Sequence, residues 1–164
     1  MKKQGHVKTP LKILFIEDVG YYSDNLSQLL NTDEQISRPV EIISALCLEE
    51  AYSKIKTDKV DGFIIDLEID HCTKDILSKY EEQRLDLTSY SPSRFFGIGI
   101  LLFTQHSFEW IQKVPKLVLS DYPFDDYSEY YNRLKGPGAK DHSGKAEDDE
   151  ENYHIIAEWI KNNF

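Results

Sequence analysis

Three short apolar runs, separated by amphipathic stretches, limit what this chain can fold into more than any other feature. Leu11-Lys12-Ile13-Leu14-Phe15-Ile16 and Phe63-Ile64-Ile65 are rich in β-formers and scarcely alternate, as strands buried on both faces do. Val40-Glu41-Ile42-Ile43-Ser44-Ala45 reads as a strand between them. After the first run, Tyr22, Leu26, Leu29 and Leu30 fall on one helical face, with Asp24 and Asn25 near its start and Asn31 at its end. After the second, Leu48, Ala51, Tyr52 and Ile55 repeat at helical spacing beside Glu49 and Glu50. Asp61-Gly62 marks the turn into the third strand, Phe63 to Leu67. The order β-α-β-α-β predicts a parallel sheet with helical crossovers.

A chain of 164 residues with 40% hydrophobic content is sized for one domain, residues 1–164, with a substantial core. Its formal charge of -10 argues against direct nucleic-acid binding, which relies on basic residues to neutralise phosphates. Cys47 and Cys72 are too few for a disulfide scaffold and have no metal-ligand spacing, which fits reduced thiols in a cytosol. The first apolar run is too short for a signal-peptide core or a membrane span. A soluble, cytoplasmic protein without membrane insertion is expected. Residues 69–94 turn polar and charged and read as an insertion after the third strand. Ile76, Leu77 and Tyr80 would give it one amphipathic helix, and it suits a lid or docking surface.

The second half admits two registers. In one, Gly97 to Phe103 is the fourth strand and ends at Thr104. In the other, which we prefer, Phe95 to Trp110 is the third helix and Leu117-Val118-Leu119-Ser120 is the strand. That helix follows Ser91-Pro92-Ser93, turns Ile98, Leu101, Leu102 and Ile111 inward, and precedes Pro115, which suits a strand entry. Asp125 can cap a fourth helix over 126–134, which Gly136-Pro137-Gly138 breaks. The fifth strand is squeezed into the polar segment from Ala139 to Gly144. A last helix opens on the acidic run from Glu147 to Glu151, favoured at a helix N-terminus by the dipole, and buries Ile156, Trp159 and Ile160.

The chemistry gathers at strand ends. Asp66 directly follows the third strand, and Glu17-Asp18 ends the first. In an open parallel sheet the ligand crevice lies outside the carboxyl ends of the strands, so such residues can converge although distant in sequence. Three carboxylates there suggest a site for a hard cation.

In these residues the chain resembles the receiver domain of two-component response regulators. Leu14-Phe15-Ile16-Glu17-Asp18 looks like the family's first strand with its acidic pair, and Phe63-Ile64-Ile65-Asp66-Leu67 like the third strand with the phosphoacceptor aspartate. Val118-Leu119-Ser120 is similar to the fourth strand with its hydroxyl residue, and the segment from Gly138 to Lys145 to the one that ends in the essential lysine. The resemblance implies a flavodoxin-like doubly wound α/β fold, a five-stranded parallel sheet in the order 2-1-3-4-5 with helices on both faces. It implies phosphorylation of Asp66 by a histidine kinase or phosphotransfer protein with Mg²⁺ held by Glu17, Asp18 and Asp66. Lys145 and Ser120 would then contact the phosphoryl oxygens, and the signal would leave through a protein effector, with homodimerisation left open. With no output domain after the last helix, a stand-alone switch rather than a turnover enzyme is expected.

The bottom-up chemistry agrees. Carboxylates attack phosphorus poorly unless a metal neutralises charge and aligns the reactants, and Mg²⁺ takes one or two carboxylates with waters and phosphate oxygens. The chain departs from the family pattern in three places. Ala146 replaces the usual proline after the lysine, His142 stands at the aromatic switch position, and Asp121 adds negative charge beside the hydroxyl residue. Glu68 and Asp70 are further candidate ligands at the start of the insertion. Two alternatives follow: a phosphorylation-independent pseudo-receiver that acts as a binding module, and a metal-dependent phosphohydrolase using Asp66, Glu68 and Glu17.

Overall fold

The computed structural model describes residues 9–18, 22–67, 69, 109–120, 141–144 and 149–164. Within them the elements are β1 (Leu11–Ile16), α1 (Tyr22–Thr32), β2 (Val40–Ala45), α2 (Leu48–Thr57), β3 (Gly62–Ile65), α3 (Glu109–Lys113), β4 (Lys116–Ser120), β5 (Asp141–Gly144) and α4 (Asp149–Asn163). The five strands form one sheet in the order β2-β1-β3-β4-β5, with every pairing parallel. This is the expected flavodoxin-like order.

The continuous apolar runs are explained by two core layers, one on each face. Leu14, Ile16, Phe63, Ile65 and Val118 turn to one side and pack with Leu48, Ala51 and Ile55 of α2 and Ile111 of α3. Leu11, Ile13, Phe15, Ile64, Leu117 and Leu119 turn to the other and pack with Leu26 and Leu30 of α1 and Ile156, Trp159 and Ile160 of α4. Successive side chains of a strand point to opposite faces. A strand covered on both sides must therefore be apolar at every position, and each such side chain contributes roughly 1.5–3 kcal/mol by burial.

At the amino end of β3 the layers meet closely. A Cβ on Gly62 would lie 2.8 Å from Ile13 Cδ1 and 3.0 Å from both Trp159 Cη2 and Phe164 Cζ. A side chain there would crowd Ile13 and press on the edge-to-face contact between Trp159 and Phe164, whose ring centroids are 5.7 Å apart. The turn before it is held by Asp61, whose N–H donates to Lys12 O at 2.8 Å and whose Oδ2 accepts from Lys12 N–H at 3.0 Å.

Some expectations change. Leu29 is 47% exposed rather than inward, because it falls about 100° round the helix from Leu30, beyond the stripe that Leu26 and Leu30 bury. The third strand ends at Ile65 instead of Leu67, although Leu67 is itself buried. Of the preferred second register, β4 at Lys116–Ser120 is present, and the described helix before it runs to Lys113, past Trp110. Thr104, most of the expected third helix, the fourth helix and all of the 69–94 insertion except Ile69, Asp70 included, lie outside the described residues. Ile69 is buried in the α2-side core. Among the described residues no helix is long and apolar enough to cross a membrane.

Candidate functional site

β1, β3 and β4 end side by side because their registers are parallel and in step. Ile16 is level with Ile65, and Ile65 with Val118. The ladder then continues past the strands: Asp66 N–H donates to Ile16 O at 3.0 Å, and Glu17 N–H donates to Ala45 O at 3.1 Å. Glu17 and Asp66 thus occupy neighbouring positions on the carboxyl rim of the sheet, 3% and 4% exposed. Asp18 follows at the mouth, half-buried. Burying a carboxylate is costly unless it is paired, hydrogen-bonded or bound to a cation, and here two such residues stand on adjacent strand ends.

Ser120 closes β4 on the same rim. Its Oγ is fully buried and, among the described residues, has no hydrogen-bond partner. Register places Leu119 level with Asp66 and Ser120 one position beyond it. On its other side Ser120 pairs with Gly144, the last residue of β5. Lys145, next in sequence, and Glu68 lie outside the described residues, as do Asp121 and Ala146. Of the expected site residues, the structure therefore brings Glu17, Asp18, Asp66 and Ser120 to one edge.

Among the described residues no group of three or more His, Cys, Asp or Glu side chains is gathered as a metal cluster. The donor set still fits Mg²⁺, which is satisfied by one or two protein carboxylates and completes its shell with water and phosphate oxygens. Glu17, Asp18 and Asp66 are the carboxylates at this edge that could supply them.

Lys116 is a polar group whose role the sequence does not announce. It resembles the surface lysines near Lys145, yet it lies at the opposite end of β4 from Ser120 and is 1% exposed. Its Nζ donates to Ile111 O and Val114 O, each at 2.8 Å, and approaches Gln112 O at 3.5 Å. It therefore ties the open carbonyl end of α3 to the start of β4. Burial pushes its pKa down to about 8, leaving it mostly charged at neutral pH. The available signal is its place directly after a helix end and Pro115, where a cation suits the last carbonyls.

No protein-family model and no curated protein matches the sequence. Solved structures do. A phosphorylated cyanobacterial phytochrome response regulator, RcpA, superposes over 92% of this chain and 91% of its own with a TM-score of 0.63 at 15% identity. The chemotaxis response regulator CheY4 of Vibrio cholerae gives 92%, 99%, 0.61 and 15%. A response regulator from Burkholderia pseudomallei with a phosphorylated aspartic acid, calcium ion and citrate gives 93%, 71%, 0.57 and 14%. At such identities the likeness rests on backbone geometry, and it agrees with the strand order and rim described above: this chain has the CheY-like fold of response regulator receiver domains.

Proposed function

We propose that the chain is a receiver that accepts a phosphoryl group on Asp66 from a histidine kinase or phosphotransfer protein in the cytoplasm and passes the signal on through protein contacts. The observation that carries this reading is the buried Ser120 hydroxyl, without a hydrogen-bond partner among the described residues, on the rim it shares with Asp66. A buried polar atom without a partner costs about 1–3 kcal/mol, and such an atom beside a reactive group is best accounted for by a ligand that completes it. A phosphoryl group on Asp66 would bring acceptor oxygens to that side of the rim. The receiver fold and the phosphorylated neighbours support the same reading.

In this reading an Asp66 carboxylate oxygen attacks the donor phosphorus, and the donor's bond to phosphorus breaks with its electron pair leaving on the donor. Glu17 and Asp18, with Asp66, would hold Mg²⁺, whose chemistry is to neutralise the gathering charge and align the donor. Ser120 donates its hydroxyl proton in a hydrogen bond to a phosphoryl oxygen, and Lys145 supplies a cation to another. Turning Ser120 toward the phosphoryl group would pull the chain that follows β4, a local change with a distant readout.

The test is intact mass after incubation with Mg²⁺ and acetyl phosphate. A single labile phosphoryl adduct is expected on the native protein, and none on Asp66→Asn or without metal. A folded protein that takes no adduct sinks the proposal and leaves the phosphorylation-independent binding module. Steady turnover of a phosphoester would point instead to a phosphohydrolase.

A further inference from the structure

β2 is one of the two outer strands of the sheet, and among the described residues it has a strand neighbour on one side only. Its bonds to β1 show which backbone groups face outward. Leu11 N–H donates to Pro39 O at 2.7 Å, and Glu17 N–H to Ala45 O at 3.1 Å. Backbone polar groups alternate in direction along a strand, so the odd-numbered residues face β1. Val40, Ile42 and Ser44 then face the free edge, with Leu46 just beyond. A free edge of this kind is a template for pairing with another chain.

Side chains occupy this edge at both ends. The Asn31 amide takes both outward groups of Val40: its Nδ2 donates to Val40 O at 2.8 Å and its Oδ1 accepts from Val40 N–H at 2.9 Å. This is the donor and acceptor pair that a neighbouring strand would present. Nδ2 also donates to Ser27 O at 2.7 Å, so the amide is anchored to α1. At the other end, Lys54 Nζ donates to Ser44 O, and Glu50 Oε2 accepts from Leu46 N–H at 3.1 Å. Glu50 and Lys54 stand one turn apart on α2, 3.9 Å from each other. Between the two clamps, Ile42 N–H, Ile42 O and Ser44 N–H have no side-chain partner among the described residues, too short a gap for an added strand.

We propose that Asn31 and the Glu50–Lys54 pair are clamps that close the β2 edge to a second copy of this chain, and that removing them turns the edge into a self-association surface. A second copy is the fitting occupant because the same edge, turned by a two-fold axis, presents matching donors and acceptors, and the β-branched Ile42 and Ile43 favour pairing once the ends are free. This inference is independent of phosphorylation.

Mass by light scattering across a concentration series would be compared for the native protein, an Asn31→Ala/Lys54→Ala variant, and that variant with Ser44→Pro added. The proline removes the outward N–H of Ser44, a change an edge strand tolerates, and so blocks pairing without touching the bonds to β1. Circular dichroism monitors the fold, and hydrogen exchange reads the amides. In the native protein the Val40 amide is expected to be protected and those of Ile42 and Ser44 to exchange fast. The opened variant is expected to lose Val40 protection at low concentration and at least to double in mass as concentration rises, with protection appearing at Ile42 and Ser44. Ser44→Pro should reverse the gain in mass. A folded opened variant that keeps the native mass overturns the proposal, and so does association that Ser44→Pro leaves intact. Should the double variant fail to fold, Lys54→Ala alone is read by its mass and by the Ile42 and Ser44 amides, since Asn31 still protects Val40 in it.

Discussion

β4 has a buried polar side chain at each end, and the two are treated in opposite ways. At its start, Lys116 is enclosed but gives its ammonium protons to the carbonyls of Ile111 and Val114, with that of Gln112 nearby. At its end, Ser120 is equally enclosed and its hydroxyl has no hydrogen-bond partner among the described residues. The first is a structural joint: its polarity closes the open end of a helix, whose last carbonyls have no partner within the helix itself. The second holds its polarity in reserve on a rim of carboxylates. One strand thus carries a structural joint at one end and, in the proposed function, a phosphoryl contact at the other, and the hydrogen-bond inventory rather than burial tells them apart.

The difference predicts a gradient of effects. Lys116→Ala should be the most damaging change, costing about 3–5 kcal/mol in urea unfolding, because it removes the packed stem and strands the carbonyls together. Lys116→Met, which keeps the stem, should cost about 1–3 kcal/mol. A result within experimental error of the native protein for both would break the comparison.

The effect of pH should be intermediate. Lys116 titrates near 8 in the fold against 10.5 in the unfolded chain because burial disfavours its charge. Between those values the unfolded state binds more protons, so this group's contribution to stability rises with pH and is flat below about 8. Subtracting the Lys116→Met profile from the native one should isolate that rise, and a difference that falls across the same interval would contradict the burial argument. The smallest shift belongs to Ser120→Ala, expected to stay within about 0.5 kcal/mol or to stabilise, since it deletes a desolvated hydroxyl without breaking a bond. A loss as large as that of Lys116→Met would mean that Ser120 is a structural joint too.

How much of this is legible in the sequence depends on where the determining contacts lie. β1 and β3 can be read directly because cover on both faces makes them continuous apolar runs. The strand-end positions of Glu17, Asp18, Asp66 and Ser120 follow from the alternation of strands and helices, which fixes a parallel sheet and one functional edge. β5 is different: Asp141-His142-Ser143-Gly144 has no strand pattern of its own and is held by pairing with Leu117 to Ser120, so only the order of elements locates it. Asn31 reads as a helix end, yet its amide works on Val40, nine residues away. Lys116 reads as solvated because its place after a helix end and Pro115 is too slight a signal to tell that its ammonium will meet the carbonyls of the preceding turn. Leu29 satisfies the helical period and still faces water, since a period marks a stripe but not its width.

The unmade bond at Ser120 also bears on thermodynamic linkage. Its hydroxyl has been stripped of water by folding, so an acceptor that reaches it needs no further dehydration of that group and gains nearly the full strength of the new bond. Occupancy of the rim and resistance to unfolding should therefore rise together, by the mass-action rule that a ligand for the folded state stabilises it. If the rim takes the phosphoryl group proposed above, a melting curve would gauge its occupancy. The same buried hydroxyl leaves the chain less stable than its scaffold allows, and in the proposed function that deficit is what an occupant of the rim would recover at the end of one strand.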